Sequence, residues 1–246
     1  VGVYAIIRTQ TLLFPSDAPS TVLLVVAGLT MLIGVLGALA QNDIKRILSF
    51  HIISQVGYMV MGVALFTVGG IAGAIFYMVH HIPVKTGLFL VGGLLEQRTG
   101  TSALDRLGGM RRRAPMIAAL FAVPALSIAG IPPFSGFIAK LGLVRAGIES
   151  EQYLIVGISL AVSLLTLMSM LKIWTNAFWN EPVAADAPPA GGEHRGAPQV
   201  MTASTLAVVL VVVVISLAAG TVWELSTTAA ENLSDPARYV SAVLGS

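Results

Sequence analysis

The sequence contains no cysteine in its 246 residues. Disulfides, thiolate nucleophiles and cysteine-ligated zinc or iron–sulfur centres are therefore excluded, and most redox chemistry goes with them. Charge is scarce as well: Asp, Glu, Lys and Arg make up 11% of the chain, against roughly 25% in an ordinary soluble domain. No carboxylate is embedded in the long apolar stretches, because Asp17, Asp43, Asp105, Glu149, Glu151, Asp186 and Glu193 all read as loop positions. Glu96 reads as a solvated residue at a helix end, next to Arg98. A basic stripe with interleaved aromatics is missing, which argues against nucleic acid as a partner. So are a nucleophile–base pair, a metal-ligand cluster and a Gly-rich phosphate loop, so no cofactor or metal is expected and a soluble-type enzyme is disfavoured. The opening residues, Val1 to Arg8, lack the pattern of a signal peptide and read as the end of a helix continued from a longer protein.

What remains is apolar. Hydrophobic residues form 56% of the chain, and the mean hydropathy is +0.86. A membrane-spanning helix needs roughly 20 mostly apolar residues. The runs predict an all-α protein, a polytopic transmembrane helical bundle, occupying residues 1–225. After a partial helix over residues 1–9, spans are expected at about 21–41, 45–68, 71–96, 115–147, 152–179 and 201–224. Residues 181–200, rich in Pro, Ala and Gly, read as a flexible cytoplasmic loop, and 226–246 as a tail of short surface helix or coil. Alternate loops carry Lys45, Arg46, Arg98, Arg106, Arg111, Arg112, Arg113 and Arg195 on one side, against Arg8, Arg145 and Arg238 on the other. The first set is expected to face the cytoplasm of a bacterial-type cell membrane. Gly69 and Gly73 stand at a helix junction, where a tight turn or close packing is expected rather than a dimer face.

The span at 115–147 is too long for one straight crossing and holds Gly130-Ile131-Pro132-Pro133 at its middle. Proline removes a backbone donor and clashes with the preceding turn, so a break at 130–133 is expected, giving one Pro-broken helix. Freed backbone groups in lipid need protein or water partners, which places such a break against the bundle interior or a wet cavity.

Seven residues after Pro133 stands Lys140, about two turns into the second half-helix. A charge inside a span costs about 2.5–3.5 kcal/mol on insertion scales and normally marks an ion or proton path. The alternative is a structural ion pair or a side chain that snorkels to the interface. Lys85 and His81 are four residues apart and share a helix face, where they could pass a proton or simply bond neighbouring helices. Pro83 between them is expected to loosen the helix, and His80 points elsewhere and reads as packing. Ser49, His51, Ser54 and Gln55 form a polar cluster suited to proton transfer or to interhelical hydrogen bonds. Lys172, beside Trp174 and Trp179, reads as an interfacial residue.

Three stretches resemble a known family over nearly the whole chain. They are Gln41-Asn42-Asp43-Ile44-Lys45-Arg46-Ile47-Leu48-Ser49-Phe50-His51 with its continuation to Tyr58, Tyr77-Met78-Val79-His80-His81-Ile82-Pro83-Val84-Lys85, and Ser127 to Lys140 through the double proline. The family is that of the antiporter-like proton-translocating subunits shared by respiratory complex I and Mrp-type multisubunit cation/proton antiporters. The paired histidines and the ending Lys172-Ile173-Trp174-Thr175-Asn176-Ala177-Phe178-Trp179 are most similar to D-type subunits of the Mrp branch. The resemblance implies two inverted repeats in the family fold, of which this chain carries the second. It also implies a proton path through Lys140, Lys85, His81 and His51, with Gly130, Pro132 and Pro133 as the helix break. Protons, Na+ or K+, the lipid bilayer and other membrane subunits of a hetero-oligomeric antiporter are the implied partners. A proton-pumping subunit of an NADH:quinone oxidoreductase and a purely structural scaffold subunit are the alternatives.

Overall fold

In the computed structural model, which describes residues 1–14, 18–180, 199–235, 237 and 241, every regular element among the described residues is helical. In chain order these are α1 (Gly2–Leu12), α2 (Thr21–Ala40), α3 (Ile44–Ala64), α4 (Val68–Thr99), α5 (Met110–Arg113), α6 (Pro115–Ala129), α7 (Ser135–Glu149), α8 (Tyr153–Ile173), α9 (Gln199–Leu217) and α10 (Ala219–Ser234). A 3₁₀ turn, Leu104–Arg106, precedes α5, and a π-turn, Trp174–Trp179, extends α8. Five of these stretches are long and apolar enough to cross a membrane: Thr21–Ala40, Ile44–Ala64, Val68–Thr99, Tyr153–Trp179 and Gln199–Leu217.

Short polar side chains start α2, α3 and α4. Ser20 Oγ accepts from Leu23 N–H at 3.4 Å, Asp43 Oδ1 from Arg46 N–H at 3.0 Å, and Thr67 Oγ1 from Gly70 N–H at 3.0 Å. Each satisfies a backbone donor that the first helical turn leaves without a partner. Asp43 also accepts from Ser102 Oγ, which ties the α2–α3 turn to the loop before the 3₁₀ turn. Burial works to raise the Asp43 carboxyl, but these hydrogen bonds and the nearby Arg46 charge outweigh it and hold the group below its ordinary 3.8.

Glycine lets the central helices approach one another. A Cβ on Gly34 of α2 would lie 2.4 Å from Ser54 N of α3, and one on Gly57 of α3 would lie 2.8 Å from Ala27 O of α2. Gly62 and Gly70 bring α3 and α4 together in the same way, each ideal Cβ falling 2.5 Å from the other's carbonyl oxygen. Gly73 packs against Leu143 of α7. α4 is the hub, in contact with α3, α6, α7, α9 and α10. It keeps helical backbone through Pro83, so the loosening expected there does not interrupt the helix. Packing on several sides holds α4 together despite the one hydrogen bond that proline removes.

The long fourth run divides at the double proline. α6 ends at Ala129, Gly130 takes φ +83, and α7 begins at Ser135. Gly130 N–H donates to Ser127 O at 3.0 Å and Ile131 N–H to Leu126 O at 3.1 Å, a Schellman close of the first half-helix.

The C-terminal region breaks earlier than the expected span at 201–224, and the first part of the expected tail is helical. α9 starts at Gln199 and gives way at Ala218 to α10, which runs to Ser234 and packs along α4. Trp223 lies 5.7 Å from Phe76 between ring centroids, and Ala230 is buried with Ile71, Ala72 and Ala74. Ser226 to Ser234 thus belong to a docked helix. The Ser, Thr and Glu on its outer face mask the sparse stripe of Ala219, Ser226 and Ala230 that it buries. The expected loop at 181–200 lies outside the described residues up to 198, as do Arg195 and Arg238.

Candidate functional site

Lys140 is set by the helix break. Its side chain runs back beside Gly130, where a Cβ would lie 2.9 Å from Lys140 Cδ. Glycine at 130 therefore serves both the positive φ and the passage of the lysine. Nζ donates to Ile128 O at 3.0 Å, Ala129 O at 3.2 Å and Ser163 Oγ at 2.9 Å. Three donors thus meet three oxygens, none of them from a carboxylate. The two carbonyls belong to the last turn of α6, the negative end of that half-helix. Tyr58 adds its ring face, with the centroid 5.3 Å from Nζ.

Lys85 is equally buried, on α4, and Nζ donates to Leu48 O of α3 at 3.1 Å. Leu48 is three residues before His51, which brings Lys85 to the same turn of α3 as that histidine. His51 is fully buried, and its Nε2 hydrogen-bonds with Ser169 Oγ of α8 at 2.8 Å. His81 lies one turn before Lys85, its ring 6.4 Å from that of Tyr77.

Tyr58 and Tyr77 stand between the Lys140 end and the His81 end. Their rings stack 5.5 Å apart at an interplanar angle of 9°. Tyr77 OH donates to Gln55 Oε1, and Tyr58 OH to Ser159 O. Among the described residues, five buried side-chain atoms in this region make no hydrogen bond within the protein: His51 Nδ1, Gln55 Nε2, His80 Nε2, His81 Nε2 and Ser127 Oγ. They fall on α3, α4 and α6, in the buried interior of the bundle.

His80 sits apart from Lys85 and takes part in a separate contact at the start of α7. Its Nδ1 hydrogen-bonds with Ser135 Oγ at 2.8 Å, while Ser135 N–H donates to Ser216 Oγ of α9 at 3.1 Å. Of the polar cluster on α3, Ser54 donates to Met31 O of α2 at 2.9 Å, and Ser49 is exposed and bonds Lys45 O at 2.9 Å. Neither faces His51's partner. Lys172, at the end of its span, has a structural contact: Nζ donates to Leu39 O at 2.9 Å and Gln41 O at 2.7 Å, closing the C-terminus of α2. Glu96 pairs with Lys45.

A family described as "NADH:quinone oxidoreductase/Mrp antiporter, TM" matches residues 1–166. The chain belongs to that family. It is 44% identical over 246 residues to the D subunit of the Na(+)/H(+) antiporter of Alkalihalophilus pseudofirmus, covering 99% of this chain and 49% of that protein. The corresponding D subunit of Bacillus subtilis is 37% identical, again over 99% of this chain and 49% of its own length. The chain thus spans about half the length of the curated relatives it matches. In structure it superposes on a chain of the Mrp complex from Dietzia sp. DQ12-45-1b with a TM-score of 0.88 and 38% identity, over 98% of this chain and 52% of the other. A chain of Thermus thermophilus respiratory complex I shares the fold, with a TM-score of 0.75 at 24% identity over 96% of this chain and 50% of that one. This is a family of membrane subunits, and the helices described above are its membrane bundle.

Tyr58, Tyr77, Ser163 and Ser169 join the site without having stood out in the sequence. Tyr58 is three residues after Gln55 and Tyr77 four before His81, so helical spacing from the polar positions is a signal that could find both. The two serines carry no such signal.

Proposed function

We propose that this chain forms the second repeat of a proton-conducting membrane subunit in a multisubunit Na+/H+ antiporter. Protons enter or leave at Lys140, cross the bundle past Tyr58 and Tyr77, and pass by His81 and Lys85 to His51. Water bridges this route by supplying partners to the buried atoms that find none in the protein. The observation that carries the reading is the setting of Lys140, a buried ammonium held by two carbonyls and a hydroxyl at a helix break, with no carboxylate among its partners to fix its proton. The 44% identity to an antiporter D subunit supports sodium as the exchanged cation, with potassium as the variant. Other membrane subunits complete the transporter, and Gly130, Pro132 and Pro133 form the opening beside Lys140.

The test is Lys140→Ala in the full-length subunit, assembled in its complex in inverted membrane vesicles. Antiport is expected to vanish while the complex still assembles, and wild-type exchange would sink the proposal. Driving sodium exchange with an imposed proton gradient and no electron donor separates this reading from a redox-driven pump. A scaffold subunit would leave transport untouched by the substitution.

A further inference from the structure

A second built feature lies along α6 and α8, running from Leu126 and Leu167, about one turn from the break, toward Phe121 and Trp174. A groove of about 220 Å³ runs between these helices, with Ala122, Ala125 and Leu126 on one wall and Leu167, Leu171 and Trp174 on the other. Every lining side chain is apolar or aromatic, Met170 among them. Leu126 and Leu171 are exposed, so the groove opens on the outer surface of the bundle, where lipid tails lie.

At Trp174 the helix turns into the π-turn, closed by Asn180 N–H donating to Thr175 O at 2.8 Å. In a π-turn residue i+5 closes on residue i, which sets Trp179 one turn beyond Trp174, past the end of the groove. Trp179 is 63% exposed, and the Arg111 guanidinium lies 4.9 Å from its ring centroid. Gly109 N–H donates to Asn180 O at 2.7 Å, fastening the start of α5 to the same turn. Arg112 and Arg113 follow in that helix, exposed, and Arg98 Nη1 donates to Arg113 O at 3.2 Å. Among the described residues none of these four arginines pairs with a carboxylate.

We propose that the groove and the arginine turn together bind one anionic phospholipid. An acyl chain lies between α6 and α8, and the phosphate rests on Arg111, Arg112 and Arg113. The physical match is in the order of the parts: apolar trough, then a tryptophan pair at headgroup level, then guanidinium groups whose planar forks suit phosphate oxygens. A helix from a partner subunit could fill the trough but would have to bring its own carboxylates to the arginines. A lipid brings the acyl chain and the anion in one molecule. The proposal is independent of the proton path.

It is tested on the full-length subunit purified in its complex in mild detergent, with retained phospholipids quantified by mass spectrometry. Phosphatidylglycerol is expected to stay with the wild type in excess of phosphatidylethanolamine. Replacing Arg111, Arg112 and Arg113 by Gln is expected to cut its retention, roughly fivefold for each charge removed. Ala122→Phe fills the trough and leaves every arginine in place, and it should lower phosphatidylglycerol retention as well. A photoreactive benzoylphenylalanine at Leu126 should give an adduct of phospholipid mass. Undiminished phosphatidylglycerol in either variant, or a Leu126 adduct with another subunit, overturns the proposal.

Discussion

Lys140 spends all three of its N–H donors on oxygens without formal charge. Hydrogen bonds to a charged group contribute about 1.5–3 kcal/mol each, more than neutral ones. Two of the three come from α6 backbone that no substitution removes, so Ser163 is the adjustable partner. Ser163→Ala in the full-length subunit is expected to slow proton-coupled sodium exchange roughly tenfold, the lower end of that range. Assembly should be unchanged, as the serine is only partly buried and its loss leaves no large cavity. Vesicle exchange at the wild-type rate would show that the lysine works without this hydroxyl. The burial of the lysine beside the break is legible in the sequence, because it stands seven residues past a double proline in an apolar run. The partners of the lysine are not. Serines and tyrosines are ordinary in spans, and only the register of α3 against α8 brings Tyr58, Ser159 and Ser163 to one place. The partners of Lys172 are hidden for a related reason. Nothing local distinguishes a lysine that reaches water from one that reaches the carbonyls ending another helix.

Between helices, the decisive contact at the break is made by Gly136. A Cβ there would stand 1.8 Å from Ser127 O and 3.1 Å from His80 Cε1, so α7 begins pressed against the last turns of α6 and against α4. The neighbour is backbone and cannot rotate aside. Gly136→Ala is therefore expected to cost about 3 kcal/mol or more, the upper range for overpacking. The purified subunit should melt lower, with α7 moved away from Lys140's carbonyl partners and transport reduced. An unchanged melting temperature would mean that the break is looser than these contacts require. A milder case is the α2–α3 turn, where Asp43 caps α3 and accepts from Ser102. Its carboxyl lies below the ordinary 3.8 when folded, so its extra stabilisation is present above about that pH and is lost as pH falls through the lowered value. Asp43→Ala should cost about 1 kcal/mol at neutral pH as a lost cap. The gap to wild type in detergent melts should narrow as pH falls below the ordinary 3.8, and a constant gap would exclude the charge as its source. Apolar run length and the paired prolines make the helical bundle and its broken helix legible. α10 is obscured because its buried stripe is narrow and its other residues are polar, so packing on α4 rather than composition decides where it lies.

Across the whole molecule, a succession of contacts runs from Lys140 through Tyr58 and Tyr77 to Gln55 and His81. Lys140 and Lys85 lie on α7 and α4, and what separates them is the Tyr58–Tyr77 stack with Gln55 and His81 behind it. If protons take the proposed route, the two lysines act in series, and a series path fails completely when either step fails. Groups that work as a unit give strongly non-additive losses. Lys85→Ala alone, Lys140→Ala alone and the double replacement are therefore expected to reduce exchange to the same floor in inverted vesicles. Two parallel routes would instead give partial losses in the single variants and a larger loss in the double. A bundle that only holds partners in place would give no loss in any of the three. The comparison has to be made in the full-length subunit, because this chain spans about half the length of its relatives. Assembly should be read alongside transport by measuring the complex recovered from each variant. Each lysine bonds backbone carbonyls of another segment, Lys85 at Leu48 and Lys140 at Ile128 and Ala129. Some loss of packing in the alanine variants is thus expected, and Lys→Met keeps the length of the stem while removing the titratable nitrogen. Equal, complete loss in both Met variants with normal assembly assigns the effect to the proton-carrying group rather than to the contact it makes.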